Sequence, residues 1–539
     1  MTSTDAGDPR VDVLVIGSGP AGSTYARTIG DAVPTARILM VEVGPAVPGV
    51  RGDHTQNMSD DDRAAAQLLT QGPDAGVERA AALSDVADGI DPSLEFRHTI
   101  LPGLFFADPR PTRDPGEVGL PAASMASGVG GMGIHWGTSS PRPQQSERIP
   151  FVPAAEMDTA LDRAERLLGT TTPPTPGHGL PEAVRSALAD EFDGPGLTPT
   201  GFMPTSTHWE GDTLRFSGTG SILGDLEATV PGFGLRTGTL ARRVVVENGA
   251  AVGAVLEDRR SGRTYEVRAR HVVVCADGLR TPQVLYASGV RPAALGRHLN
   301  EHFQVTSFVS LDDRVDPAAF PPEPRNVRSV LIPFSDARPV QGGVVLLANS
   351  AYRPSPGGGD LLAGAGASDR LAVLAWYGAK DIRSADAVGF SDTATDFYGM
   401  PRMRIRYSHT DRDRATIERM TADSVRAARR IGTLHEPPAL AAGGSSLHYQ
   451  GTVRMGEVDD GSSVCDPWLR VWGVDNLHVG GNGVIPTSTA SNPTLTTVAL
   501  AWRAATAIAR SLTSSRGATP AVVHGDPDPR RATTPDARS

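Results

Sequence analysis

Three glycines and one acid near the start of the chain have the residue types and spacing of a phosphate cradle. Gly17, Gly19 and Gly22 stand at G-x-G-x-x-G spacing, with Pro20 and Ala21 between the last two, and Glu42 follows twenty residues after Gly22. In such a pattern the first glycine permits a tight turn. The second lets backbone approach a pyrophosphate, and the third lets a helix pack closely on a strand. A helix beginning at this point turns its unsatisfied N–H groups and positive dipole end toward phosphate oxygens. An acid at the distance of Glu42 can bond a ribose hydroxyl. Alone, the glycine spacing marks only a loop; the surrounding elements give it meaning.

Those elements are legible. Val11–Ile16 is largely apolar and β-branched, the composition of a buried parallel strand. Ala21–Ile29 has helical spacing, and a second apolar strand over Ile38–Val43 carries Glu42 near its end. Strand, glycine turn, helix and strand with a terminal acid together predict binding of an adenine dinucleotide.

Further along, a polar stretch at 53–91 has helical spacing around Ala64–Thr70. Residues 122–143 then combine many glycines with Met132, Ile134, His135 and Trp136. That mixture suits either a flexible surface loop or backbone pressed against a flat ligand. Residues 156–168 predict an amphipathic helix with Met157, Leu161 and Leu167 inward. Strands are expected over Leu235–Val246, Ala251–Glu257 and His271–Ala276, and a helix near Thr281. Alternating apolar residues over about 304–410 predict an antiparallel sheet, interrupted by a loop at 354–369 that reads as a lid or a tolerated insertion. A helix is expected over Thr416–Arg430. A final helix follows, with Asn492 near its N-cap and Pro493 at its first position.

Composition narrows the class. A chain of 539 residues exceeds one simple core, so two or more lobes are expected. The net charge of −10 gives nucleic acid or an anionic membrane no electrostatic attraction, so neither is an expected partner. Two cysteines, Cys275 and Cys465, could pair or remain reduced and structural. The N-terminal residues lack an apolar signal region, and the most apolar run, Thr496–Ala509, is short and interrupted by Arg503. A cytoplasmic location is therefore expected. Residues 1–10 and 513–539 are polar and aperiodic and read as disordered tails.

Three blocks resemble one family: Gly17 to Glu42, then VVVCADGLRTPQVLYASGV with LGRHLNEH, then SLHYQGTVRMG with VGGNGVIPTSTASNPTLT. Together they are similar to the glucose–methanol–choline (GMC) family of FAD oxidoreductases. The segment GGMGIHW-x-x-x-x-PR resembles the flavin-attachment segment of the pyranose 2-oxidase subgroup. HTQNMSD, LTQGP, FYGMPRMRIRY and RVWGVDNLHVGGNGVIPT are also similar to that subgroup.

The resemblance implies an α/β, Rossmann-like FAD-binding domain plus an α+β substrate domain with a large, mostly antiparallel sheet, an architecture like that of p-hydroxybenzoate hydroxylase. The first would comprise 11–155, 235–303 and 446–512, the second 156–234 and 304–445. By motif, His448 corresponds to the family's active-site histidine and Asn492 to its partner. Alcohol oxidation needs a base for the hydroxyl proton while a carbinol hydride moves to flavin N5, and an imidazole suits that role. Asn492 would hydrogen-bond the alcohol oxygen, and the helix at Pro493 and Thr494 would aim its positive end at the flavin. Met132, Gly133, Ile134 and Trp136 are implied neighbours of the ring, Ala241 a backbone partner of adenine, and Gly481 and Asn482 neighbours of the ribityl chain and pyrophosphate. His135 would either bond covalently to the flavin or only pack on its edge. No metal is expected.

Two departures bear on substrate. Gly137 stands where fungal pyranose 2-oxidases carry a threonine near the flavin, so space opens above the ring. The segment 310–345 is also shorter than in the tetrameric fungal enzymes, and both departures place free glucose as best substrate, C2 as the oxidised carbon, and tetramerisation in question. Bacterial relatives in the subgroup oxidise glycosides at C3. The expectation is an oxidase of a pyranose or glycoside secondary hydroxyl (C2 or C3), passing electrons to oxygen or a quinone, as a monomer or small homo-oligomer. Its rivals are a dehydrogenase or oxidase of a non-sugar alcohol or natural-product glycoside using another acceptor, and a flavin-binding scaffold without turnover.

Overall fold

A strand with neighbours on both sides and helices over its faces needs apolar side chains in both directions. The first strand, β1 (Val11–Ile16), has them: Val13, Leu14 and Val15 are fully buried. The structure is a computed structural model that describes residues 10–47, 49, 51–71, 103–106, 117–321, 329–346 and 370–517. In it β1 pairs in parallel with β2 (Ile38–Val41) on one side and with strand Thr264–Val274 on the other. Phe233–Arg236 extends this parallel sheet beyond β2, and Leu477–Val479 extends it beyond Thr264–Val274. The early half of Thr264–Val274 instead runs antiparallel to Ala250–Asp258, which pairs with Thr239–Glu247.

Helix α1 (Pro20–Ala32) packs beside the C-terminal helix, Thr494–Gly517, in the core of this sheet. Leu495, Val498, Leu500 and the alanines at 499, 501, 504 and 505 are all fully buried, so small residues allow close helix contact. Arg503, buried within this helix, donates to Glu156 at 2.7 Å. Among the described residues no helix is long and apolar enough to cross a membrane.

A second seven-stranded sheet is antiparallel throughout, with Phe303–Leu311, Leu371–Gly378, Val340–Leu346 and Ser329–Ile332 adjacent in that order. Strand Phe303–Leu311 alternates strictly between buried and half-buried residues. One face, with Val305, Val309, Leu374 and Trp376, packs against helices Gly179–Phe192 and Asp411–Ile431. Gln304, Gln341 and Tyr377 are paired across strands on the other face.

The α/β sheet and the antiparallel sheet are thus present as expected, with corrected boundaries. Leu235–Val246 is two strands at opposite ends of one sheet order, because Gly238 (φ +58°) reorients the chain between them. Within the expected 304–410 span the sheet runs only to Gly378 and takes its last strands from Gly432–Leu434 and Ala439–Leu440; Ala387–Thr395 and Pro401–Arg406 form a separate hairpin. The helix expected from Thr416 starts at Asp411, because Thr410 and Asp413 form a reciprocal capping box. The helix expected near Thr281 starts at Asp277, whose carboxylate accepts from the Leu279 and Arg280 N–H groups. Helix Ala154–Leu168, assigned by the sequence largely to the second domain, packs on the C-terminal helix in the first core.

The tail expected from 513 is helical through Gly517. Thr513 and Ser514 there donate to carbonyls one turn back instead of breaking the helix. The loop at 354–369 and residues 1–9 and 518–539 lie outside the described residues.

Candidate active site

Between the first glycine turn and the open face of the second sheet lies a cleft with about 1780 Å³ of space, its mouth included. Gly17, Gly19, Pro20, Ala21 and Glu42 all line it, and the three glycines are needed for different reasons. Gly17 has φ +100°, and a Cβ there would sit 2.3 Å from the Cys275 carbonyl oxygen. A Cβ on Gly22, which lies behind the lining, would sit 2.0 Å from the Gly17 carbonyl oxygen. A Cβ on Gly19 would find no protein atom nearer than 3.9 Å. The first and third glycines therefore answer to packing, and the second leaves backbone bare toward the cleft.

Glu42 does more than line the cavity. Its buried carboxylate accepts from the Ser18 N–H and hydroxyl, at 3.1 and 2.7 Å, and from the N–H groups of Gly44 and Gly128, at 3.1 and 3.2 Å. Burial raises its pKa, against the pull of these bonds. A ribose hydroxyl would thus be a fifth donor to a group that also ties the glycine turn to the next loop.

That loop leads into a 3₁₀ turn at Gly131–Ile134. A Cβ on Gly133 would lie 2.1 Å from the Thr219 hydroxyl and 2.7 Å from Pro20, so glycine lets the turn dock on the start of α1. Met132, Gly133, His135, Trp136 and Gly137 line the cleft. Trp136 is fixed by donation from its indole N–H to the Ser217 carbonyl at 2.7 Å. Ile134 is a correction: its side chain is buried with Val47, Met58 and Ala66 and does not line the cleft. A built Cβ on Gly137 meets nothing within 4 Å.

Ala241, Gly481, Asn482, Thr494 and Thr497 also line the cleft. Gly481 (φ +106°) is a second turn whose built Cβ meets no protein atom within 4 Å. Two bare glycine turns facing one cavity fit an elongated, phosphate-bearing ligand. Pro493 is not in the lining. Its carbonyl accepts the Thr497 N–H at 2.9 Å, so Pro493 rather than Asn492 occupies the cap of the last helix.

His448 and Asn492 line this same cleft from loops that precede different elements. Burial lowers the His448 pKa to about 4, which leaves the ring neutral at neutral pH. Its Nδ1 lies 3.1 Å from Nδ1 of His302, leaving Nε2 as its other nitrogen. Asn492 Oδ1 accepts from Gln341 Nε2 at 2.9 Å, which leaves its amide N–H groups as donors. Tyr377 also lines the cleft, its ring centroid 5.7 Å from that of His448.

Two buried acids hold the loops. Glu301 accepts from the Gly444 and Ser446 N–H groups and the Ser446 hydroxyl, just before His448. Glu147 accepts from the Ala490 and Ser491 N–H groups and the Ser491 hydroxyl, just before Asn492. His302, Gln341, Tyr377, Glu301 and Glu147 were not singled out in the sequence. Nothing local marks them except that Glu301 and His302 end the block LGRHLNEH.

Two family models, both described as GMC oxidoreductase, match residues 145–304 and 387–501. The chain is 43% identical to a C-glycoside 3-oxidase of Arthrobacter globiformis, over 94% of this chain and 96% of that protein. It is 29% identical to a pyranose 2-oxidase of Tricholoma matsutake, over 92% of this chain and 93% of that one. Among solved structures, a formate oxidase of Aspergillus oryzae shares the fold, with a TM-score of 0.61 at 13% identity over 94% of this chain and all of that one.

Proposed function

The chain belongs to the GMC oxidoreductase family, and from that premise we propose that it is an FAD-dependent glycoside oxidase acting on the C3 hydroxyl of a pyranose ring. Oxidation of a secondary sugar hydroxyl is common to the C-glycoside 3-oxidase and pyranose 2-oxidases it resembles along nearly its whole length. The observation that carries the finer reading is the open wall at Gly137, where no side chain narrows the cleft and a substituent on the sugar has room.

Bound FAD supplies the acceptor for the carbinol hydride. The chain's own residues do the rest. Gly17, Gly19, Pro20 and Ala21 would hold the pyrophosphate, on a turn that Gly22 lets pack closely; Glu42 would meet the ribose, and Ala241, Gly481, Asn482 and Thr494 would flank the remainder. Met132, Gly133 and Trp136 border the ring, and His135 either bonds to it or packs on its edge. His448 receives the hydroxyl proton at Nε2, and burial keeps its ring neutral at neutral pH. Asn492 donates an amide N–H to the alcohol oxygen, its orientation set by the bond from Gln341. Oxygen is the proposed electron acceptor, giving hydrogen peroxide, with quinones as alternatives.

Anaerobic mixing with a C-glycoside, an O-glycoside and glucose tests this reading by flavin bleaching. NMR of the aerobic products locates the new carbonyl. Bleaching by glycosides with a 3-keto product is expected. A 2-keto product moves the chain to the pyranose 2-oxidase reading, and no bleaching by any sugar removes both. Yellow colour in an acid-precipitated pellet would show a covalent flavin.

A further inference from the structure

Behind His448 stands a second buried imidazole that the proposed function leaves unused. His302 is 2% exposed and directly precedes strand Phe303–Leu311. Its Nδ1 lies 3.1 Å from that of His448, and its Nε2 lies 2.9 Å from the Thr489 hydroxyl and 2.9 Å from the Gln450 amide nitrogen. Two imidazole nitrogens facing each other share one hydrogen, so the tautomer of either ring dictates that of the other. Burial lowers the pKa of both, and each is neutral at neutral pH with a single proton.

Two arrangements satisfy the pair. In the first, the Gln450 amide nitrogen donates to a bare His302 Nε2, His302 donates from Nδ1, and His448 keeps its proton on Nε2, where it points away from His302 as a donor. In the second, His448 donates from Nδ1 to a bare His302 Nδ1, and His302 donates from Nε2 to Thr489. The Gln450 amide, turned to present its oxygen, then accepts from the Thr489 hydroxyl. Only the second arrangement leaves His448 a lone pair for an alcohol proton.

We propose that His302 is a positioning residue that holds His448 in its Nδ1-protonated tautomer and accepts that hydrogen bond before and after the substrate proton moves. The inference rests on His448 being the base. The hydroxyl hydrogen leaves the alcohol oxygen and bonds to His448 Nε2, while His302 gains and loses no proton. The resulting imidazolium keeps its Nδ1–H bond to the neutral ring behind it, the role of an orienting group in a base-and-orienter pair.

The test combines a spectrum with two substitutions. Holoenzyme carrying ¹⁵N-histidine, with His448 assigned by difference against His448→Asn, should show Nδ1 protonated and Nε2 bare at pH 7. The reverse pattern overturns the proposal, and this readout uses the unsubstituted protein. His302→Asn keeps an acceptor at the Nδ1 position and should stay within about tenfold of the native flavin-reduction rate. His302→Leu should lose about 100-fold, with KM changed less than about threefold and the flavin spectrum unchanged. A native rate in His302→Leu overturns the proposal. His448→Ala separates the two claims: if sugar still bleaches its flavin, the reading of His448 as base falls. If it is inert while His302→Leu is normal, only the role of His302 falls.

Discussion

The loop that carries His448 and the loop that carries Asn492 each rest on one buried glutamate, and the two supports differ. Glu147 accepts four hydrogen bonds, from the N–H groups of Gln144, Ala490 and Ser491 and from the Ser491 hydroxyl, all between 2.7 and 2.8 Å. Glu301 accepts three, between 2.7 and 3.1 Å, and burial pushes its pKa up to about 7 against their pull. The loop of Asn492 is thus held by the better-satisfied carboxylate. The loop of His448 is held by a carboxyl whose pKa burial raises to about 7.

The largest expected effect separates the roles of the two loops. His448→Ala should lower the rate of flavin reduction by sugar about 10³-fold, whereas Asn492→Ala should cost nearer 100-fold. Stopped-flow bleaching measures both, and equal losses would erase the distinction between base and donor. Next come the supports. Glu147→Ala strands three N–H groups and a hydroxyl and should cost about 3 kcal/mol in urea unfolding; Glu301→Ala, stranding two N–H groups and a hydroxyl, should cost about 2 kcal/mol. A reversed order would break the comparison.

Smaller effects follow pH. The folded pKa of Glu301 lies above its unfolded value of 4.5, so its contribution to stability is whole below that value and is lost as pH rises through 7. Unfolding midpoints between pH 5 and 8 should therefore decline in the native protein and flatten in Glu301→Gln. His448 has the opposite sign. With its pKa lowered to about 4 by burial, it stays neutral until the medium is strongly acidic. The reduction rate should hold level from pH 8 to about 5 and fall toward 4, not through the ordinary imidazole range near 6.5.

The glycine cradle was readable because its causes are local: turn, helix start and strand lie within a few residues of one another. His448 and Asn492 were readable only through their motifs, since neither residue alone says which cavity it faces. The roles of the supports were not readable, even though Glu301 lies within the block LGRHLNEH. Glu147 meets residues more than 340 positions away, and a lone acid in sequence looks like any solvated charge. Gln341 and Tyr377 become neighbours only through the register of two antiparallel strands, which side-chain alternation does not specify. Ile134 was misread for a related reason. A 3₁₀ turn sends consecutive side chains in different directions, so membership of the Gly-rich segment did not make it part of the cleft wall.

The parallel sheet has one more consequence. It joins β1, among the earliest residues described, to Leu477–Val479, and the C-terminal helix packs on α1. During translation the nascent chain therefore presents the first glycine turn long before its opposite wall exists. The second sheet, whose strands all lie between residues 201 and 440, can form while the ribosome is still working. The wall that Gly481, Asn482 and Thr494 give the cleft is thus synthesised last, more than 450 residues after the glycine turn it faces.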